Sequence, residues 1–201
     1  MKKVIFGLIA SLALFNLISC SDNNEIEENS STKRISQVLN EKNYTTQKIM
    51  YSLLNEEEKF KIWNDKIENI LQKNNLTKEQ SDLIYELKNN ISLNLFKNGE
   101  RNDEREIFKT IFVKNFLKKT VNVFSEDFIV SNFYYITDNS SKVDGGGEFV
   151  DLPNCTCNKG SMWSCGGNSS FECKSSNKCT STTSGCGFFG LFECNGRCFL
   201  Y

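Results

Sequence analysis

The residues of this 201-residue chain best suited to chemistry are its nine cysteines, and eight of them lie in the last 48 residues. Cys155, Cys157, Cys165, Cys173, Cys179, Cys186, Cys194 and Cys198 follow the spacing C-x-C-x7-C-x7-C-x5-C-x6-C-x7-C-x3-C. The residues between them are mostly Asn, Gly, Ser and Thr, with little apolar material for a core. A segment this short and polar lies near the lower limit of what burial alone can stabilise, and an even set of cysteines is the usual remedy. Histidine is absent. That removes the commonest general base, the commonest partner in zinc sites and every Ser/His or Cys/His pair.

Two uses of the eight thiols remain. They could hold two four-cysteine zinc sites, but the C-x2-C knuckles typical of such sites are missing. In an oxidising compartment they would close four disulfides, each contributing roughly 2–4 kcal/mol by restricting the unfolded chain. Disulfides are the expectation, with no metal and no cofactor. Spacing does not select the pairing, except that Cys155 and Cys157 are too close to be partners.

The ninth cysteine concerns the address. Lys2 and Lys3 precede an apolar stretch from Val4 to Ile18, too short to span a bilayer comfortably and suited to a signal peptide. The stretch ends in Leu17-Ile18-Ser19-Cys20, which resembles a bacterial lipobox. The resemblance implies cleavage before Cys20 and lipidation of that residue, leaving eight cysteines to pair. Losing residues 1–19 takes away two lysines and no acid, so the formal charge of −1 becomes −3. Asp22, Glu25, Glu27 and Glu28 then form an acidic tether behind the anchor. Such a tether resembles the surface-export signal of Bacteroidota lipoproteins, and its composition also suits a solvated spacer. Ser21 after the cysteine is compatible with the outer membrane. The expected location is the cell envelope, on an outer-membrane lipoprotein facing outward.

The elements that position the cysteines come before them. Asn55 with Glu58, and Thr77 with Gln80, make capping signals for two helices. Behind the first, Phe60, Trp63, Ile67, Ile70 and Leu71 share a face; behind the second, Leu83, Ile84, Leu87, Ile91 and Leu95 do, with Asn98-Gly99 as the stop. Asp103 and Glu106 open a further segment carrying Ile107, Phe108, Ile111, Phe112, Asn115, Phe116 and Val121. Ile35, Val38 and Leu39, then Ile49, Met50 and Leu53, predict one or two shorter helices upstream. Ser125 to Ile136 fits either a helix or an extended packing segment. Glu56, Glu57 and Glu58 are explained by the positive end of a helix dipole more simply than by a metal. Short polar connections favour antiparallel neighbours, hence a small helical bundle.

Residues 138–150, with Gly145-Gly146-Gly147, have linker composition. The expected organisation is therefore signal peptide 1–19, tether 20–31, helical bundle 32–137, linker 138–150 and cysteine-rich module 151–201. In fold class the chain is mainly α, a small bundle followed by a disulfide-rich, loop-dominated C-terminal module. Phe188, Phe189, Leu191 and Phe192 form the most apolar run in that module. Exposed, they would be a contact patch for a membrane or receptor; buried, they are, with Met162, Trp163 and Phe171, nearly all the core the module has.

Asn154-Cys155-Thr156-Cys157, Lys178-Cys179, Ser184-Gly185-Cys186-Gly187 and Cys194-Asn195-Gly196 resemble the fulvocin C-related bacteriocin family, as does the closing Phe199-Leu200-Tyr201. The resemblance covers Asn154–Tyr201. Two early spacings are longer here, and the last pair is C-x3-C where the bacteriocin has a tighter one. It implies an antibacterial role for a module displayed by the lipoprotein. The alternative is a binding or adhesion protein that uses the stapled module as a recognition scaffold. Partners would be the membrane, through the lipid anchor, and an unidentified protein or target-cell surface. Lys159, Lys174, Lys178 and Arg197 exceed the acids Asp151, Glu172 and Glu193 by one charge, which disfavours lysis driven by electrostatics. The near-neutral whole chain gives no basis for nucleic-acid binding. With no histidine, nucleophile motif or phosphate loop, enzymatic activity is not expected.

Overall fold

A computed structural model describes residues 22–73, 75–97, 102–137, 154–161, 163–165 and 171–200. The signal peptide, Cys20, Asn98-Gly99, the 138–150 linker and Met162 lie outside these residues. Among the described residues seven α-helices come first: α1 (Asp22–Asn40), α2 (Tyr44–Ser52), α3 (Glu56–Gln72), α4 (Lys78–Asn90), α5 (Asp103–Ile107), α6 (Val113–Thr120) and α7 (Glu126–Phe133). A 3-10 turn, Leu93–Phe96, follows α4, and a π-helical turn, Phe108–Phe112, joins α5 to α6. Four short strands follow, β1 (Phe171–Lys174), β2 (Thr182–Cys186), β3 (Phe192–Cys194) and β4 (Arg197–Leu200). The protein is mainly helical with a disulfide-rich C-terminal region, and no described helix is long and apolar enough to cross a membrane.

Local chemistry sets the helix starts. Asn55 accepts from the Glu58 amide at 2.9 Å, and the Asn55 amide donates to Glu58 Oε2 at 3.0 Å. The other Glu58 oxygen accepts Arg34 Nε at 2.7 Å, so one buried carboxylate caps α3 and ties it to α1. Thr77 and Gln80 form the same reciprocal cap on α4, and Gln80 Nε2 also reaches the Val123 carbonyl. Ser125 caps α7, which resolves the open segment as a helix over Glu126–Phe133. At the other end of α7, Lys66 Nζ donates to the carbonyls of Ser131, Tyr135 and Ile136, placing a cation where orphan acceptors and the helix dipole favour one.

Several expectations need correction. The stretch expected as a tether is helical from Asp22, since residues 20–31 contain no Gly or Pro and Ile35 and Val38 anchor the helix in the core. Helix α4 ends at Asn90, and Leu95 reaches the core from the 3-10 turn instead. Helix α5 does open at Asp103, with Asn102 as its cap. Ile107 and Ile111, each 57% exposed, lie off the core, as does Val121. The π turn brings together Phe108 and Val113, which stand five residues apart and are both buried, where a regular α-helix would set them about 140° apart. In and just after the two upstream helices Leu39, Ile49 and Leu53 are exposed, and Tyr51 and Leu54 take the buried positions.

The C-terminal region is two antiparallel ribbons. Strand β1 pairs with β4, setting Cys173 opposite Cys198 and Lys174 opposite Arg197. Strand β2 pairs with β3 through an irregular register between Thr182 and Cys186. Four disulfides join Cys155–Cys179, Cys157–Cys173, Cys165–Cys198 and Cys186–Cys194. The pairing left open by spacing is thereby assigned, and Cys155 and Cys157 indeed have different partners.

Helices and C-terminal region share one core. Trp63, Ile67, Ile70, Ile84, Leu87, Leu95, Phe116, Ile129 and Phe133 belong to a single buried cluster that also contains Phe188, Phe189 and Leu191. The second cluster consists of Cys155, Cys186 and Cys194, with Cys179 packed against it. Among the described residues, disulfide sulfur is therefore the apolar interior that the C-terminal region keeps to itself, beside the buried polar pair Asn158 and Ser164.

Candidate functional site

The Gly187–Leu191 turn between β2 and β3 is the feature around which the joint is built. Gly187 has φ of 68°, and a Cβ there would lie 2.8 Å from Ser161 Oγ and 2.9 Å from the Phe192 ring. Phe189 is also left-handed, at φ 55°, a costly conformation for a bulky residue that only strong packing sustains. The turn projects Phe188 and Phe189, both 0% exposed, and Leu191, at 2%, into the helical core.

The receiving surface is aromatic. Phe189 packs on Trp63 with ring centroids 4.6 Å apart. Phe188 meets Phe133 at 5.4 Å, and Phe116 and Tyr134 at 5.9 Å each. Trp63 Nε1 donates to Tyr51 Oη at 2.9 Å, and that hydroxyl faces the Phe189 carbonyl at 3.4 Å. Burial pushes the Tyr51 phenol well above its ordinary pKa and does the same to Tyr134. Phe188, Phe189 and Leu191 are accordingly a plug held by the helices, which corrects the reading of these residues as an exposed contact patch. Phe192 is half-buried against the same core, with Lys109 Nζ 5.6 Å from its ring centre.

Lys48 closes the joint from α2. Its Nζ donates to the Thr156 carbonyl at 2.7 Å, contacts Cys186 Sγ at 3.1 Å and lies 5.2 Å from the Tyr44 ring centre. Part of the side chain keeps contact with solvent, but the amino group itself is enclosed. Desolvation pulls its pKa down from 10.5 to about 7. Nothing in the sequence distinguished Lys48 from a solvated helix lysine. Nor did it reveal that Tyr51, just beyond the exposed Ile49, would face inward.

No known family matches this chain. No curated protein and no solved structure shows significant similarity to it either.

The joint is therefore judged by its own geometry. All eight described cysteines are bonded to one another. An open groove between α4 and the end of α6 is lined by Lys78, Glu79, Asp82, Glu86 and Lys119, of which Lys78 and Asp82, and Lys119 and Glu86, are paired with each other. What the arrangement offers is rigidity. Short strands and the connection between β1 and β2, with Glu172, Lys178, Thr180 and Thr183 exposed, are fixed by disulfides on one side and by the plug on the other.

Proposed function

We propose that this protein is an exported, lipid-anchored envelope lipoprotein in which the helices carry the disulfide-stapled C-terminal region as a fixed recognition surface. One observation carries the reading: Phe188, Phe189 and Leu191, the apolar run a free toxin would use or keep as its own core, are spent on the helical core. Separated from the helices, the region would expose this run and retain little besides sulfur inside. Four disulfides support an extracytoplasmic address. Cys20 is the anchoring residue in this reading, the membrane is the first partner, and a protein or cell surface is the second.

An antibacterial role is the second reading, favoured by the eight-cysteine pattern with its Gly-Cys-Gly and Cys-Asn-Gly contexts. One experiment separates the two. Producer cells, and a strain lacking the protein, are mixed with related bacteria while binding of the purified, oxidised full chain to intact cells is measured. Saturable binding with unchanged survival of the neighbours supports recognition. Killing that depends on the protein supports the antibacterial reading, and neither binding nor killing sinks both. Replacing Cys20 with Ala should release the protein from membranes; retention there would refute the anchor.

A further inference from the structure

Charge is unevenly divided along this chain. Residues 22–137 carry two more acids than cations, whereas residues 154–200 carry two more cations than acids. The four cations of that second stretch are Lys159, Lys174, Lys178 and Arg197. All four gather around the β1–β4 ribbon.

The disulfides decide which way the ribbon faces. Opposed residues of an antiparallel pair share a face, and neighbours along a strand alternate. Cys173 and Cys198 lie opposite each other and are bonded to Cys157 and Cys165, both buried. Glu172, Lys174, Arg197 and Phe199 therefore share the other face. Lys174 stands directly opposite Arg197, a like-charge pairing that costs a ribbon stability. Arg197 is buried and donates to the Lys178 carbonyl at 3.1 Å, which ties the connection carrying Lys178 to this ribbon. Lys159 comes to the same place: its amide donates to Asn195 Oδ1 at 2.9 Å and its Nζ to Ser175 Oγ at 2.7 Å, one residue beyond Lys174. Lys159, Lys174 and Lys178 are all exposed. Glu172, 3.2 Å from Lys174, is the one acid in β1 and β4.

We propose that this basic end of the β1–β4 ribbon docks on an anionic lipid surface, with phosphate headgroups meeting Lys159, Lys174 and Lys178. Arg197 adds its charge from beneath and positions the Lys178 backbone. The residue types favour lipid over a single fixed anion. Lysines are point charges on flexible stems, suited to headgroups that move past them, whereas the planar fork that would clasp one phosphate in two places belongs to the buried Arg197. The excess of acids on the helical part is repelled by the same surface, so the charge division turns the ribbon toward it. Attraction to a charged surface needs no groove, and the disulfides keep the three lysines in place without the lipid. The inference names a partner for the recognition surface and rests on that reading.

The test uses the oxidised chain from Ser21 on, which keeps every described residue and lacks the signal segment and Cys20, so that no acyl chain can hold it. It is sedimented with vesicles of equimolar phosphatidylglycerol and phosphatidylcholine, and with vesicles of phosphatidylcholine alone. Binding should appear on the anionic vesicles only and fade as salt is added. Each lysine near such a surface contributes about fivefold, so Lys174→Gln with Lys178→Gln should weaken binding about twentyfold. Lys114→Gln with Lys118→Gln removes the same charge from exposed positions on α6 and should leave binding within about twofold. Glu172→Gln should strengthen it. No binding to anionic vesicles, equal binding to neutral ones, insensitivity to salt or equal losses in the two lysine pairs would overturn the proposal. Retention by an acidic polymer such as heparin without vesicle binding would overturn it in favour of a different partner. Binding to intact cells without binding to vesicles sinks this inference and leaves the recognition reading standing; vesicle binding without saturable cell binding does the reverse.

Discussion

Trp63 and Phe189 pack with ring centroids 4.6 Å apart and planes tilted by 32°, and through this contact a helix in the first half of the chain and a turn near its end become one folding unit. Both side chains are almost wholly buried. Replacing Phe189 with Ala removes a large core ring and should cost about 3–5 kcal/mol. Denaturation followed by far-UV circular dichroism should show the helical signal falling at lower denaturant in a single transition. Two transitions, with the helices unaffected, would mean that the plug is not part of their core.

Gly196 tests the interior of the stapled region. A Cβ there would lie 2.5 Å from the Lys174 carbonyl oxygen and 2.8 Å from Cys173 Sγ. Overpacking of this kind costs roughly 1–3 kcal/mol. Gly196→Ala should therefore lower the melting temperature and, in oxidative refolding, yield less of the Cys157–Cys173 product in a non-reducing peptide map. Unchanged yield and stability would show that the strands give way easily.

Lys66 donates to three carbonyls at the end of α7. Lys66→Met keeps most of the aliphatic bulk and leaves those acceptors without that donor, at a cost of about 1–3 kcal/mol. Hydrogen exchange should show α7 opening more readily while α4 stays protected. Equal loss of protection in both helices would instead mean that α7 does not open separately.

The pH dependence follows from Lys48 and the buried phenols. Lys48 is brought down to about 7 in the folded protein, from 10.5. Between those values the unfolded chain holds a proton that the folded one lacks, so stability rises with pH above about 7 and levels off near 10.5. Tyr44, Tyr51 and Tyr134 are raised above their ordinary 10. Above that value the unfolded chain loses protons that the folded one keeps, so stability falls again. Urea midpoints across this range should pass through a maximum on the alkaline side of neutrality. In Lys48→Met the rising limb should flatten while the alkaline fall remains; an unchanged rise would exonerate Lys48.

Much of the architecture was legible because it is local. The Asn55–Glu58 and Thr77–Gln80 caps depend on residues three apart, so composition and spacing were enough to place the starts of α3 and α4. The cysteine count likewise determined that the C-terminal region would be stapled. The π turn was not legible, because a 3.6-residue period sets Phe108 and Val113 about 140° apart, and only the wider turn brings both into the core. The exit of α4 at Asn90 was missed for a related reason: Ile91 and Leu95 stay buried whether the helix continues or turns.

By itself, the sequence determined a helical segment and a cysteine-rich segment too polar to build its own core. Only the tertiary structure decided which cysteines are partners and where Phe188, Phe189 and Leu191 go. Both are questions of long-range proximity. An apolar run carries the same hydrophobicity whether it faces water, a partner or its own chain, and the free energy that places it belongs to the surface it meets. Here that surface is formed by Trp63, Phe116, Phe133 and Tyr134. None of them lies near the run in sequence.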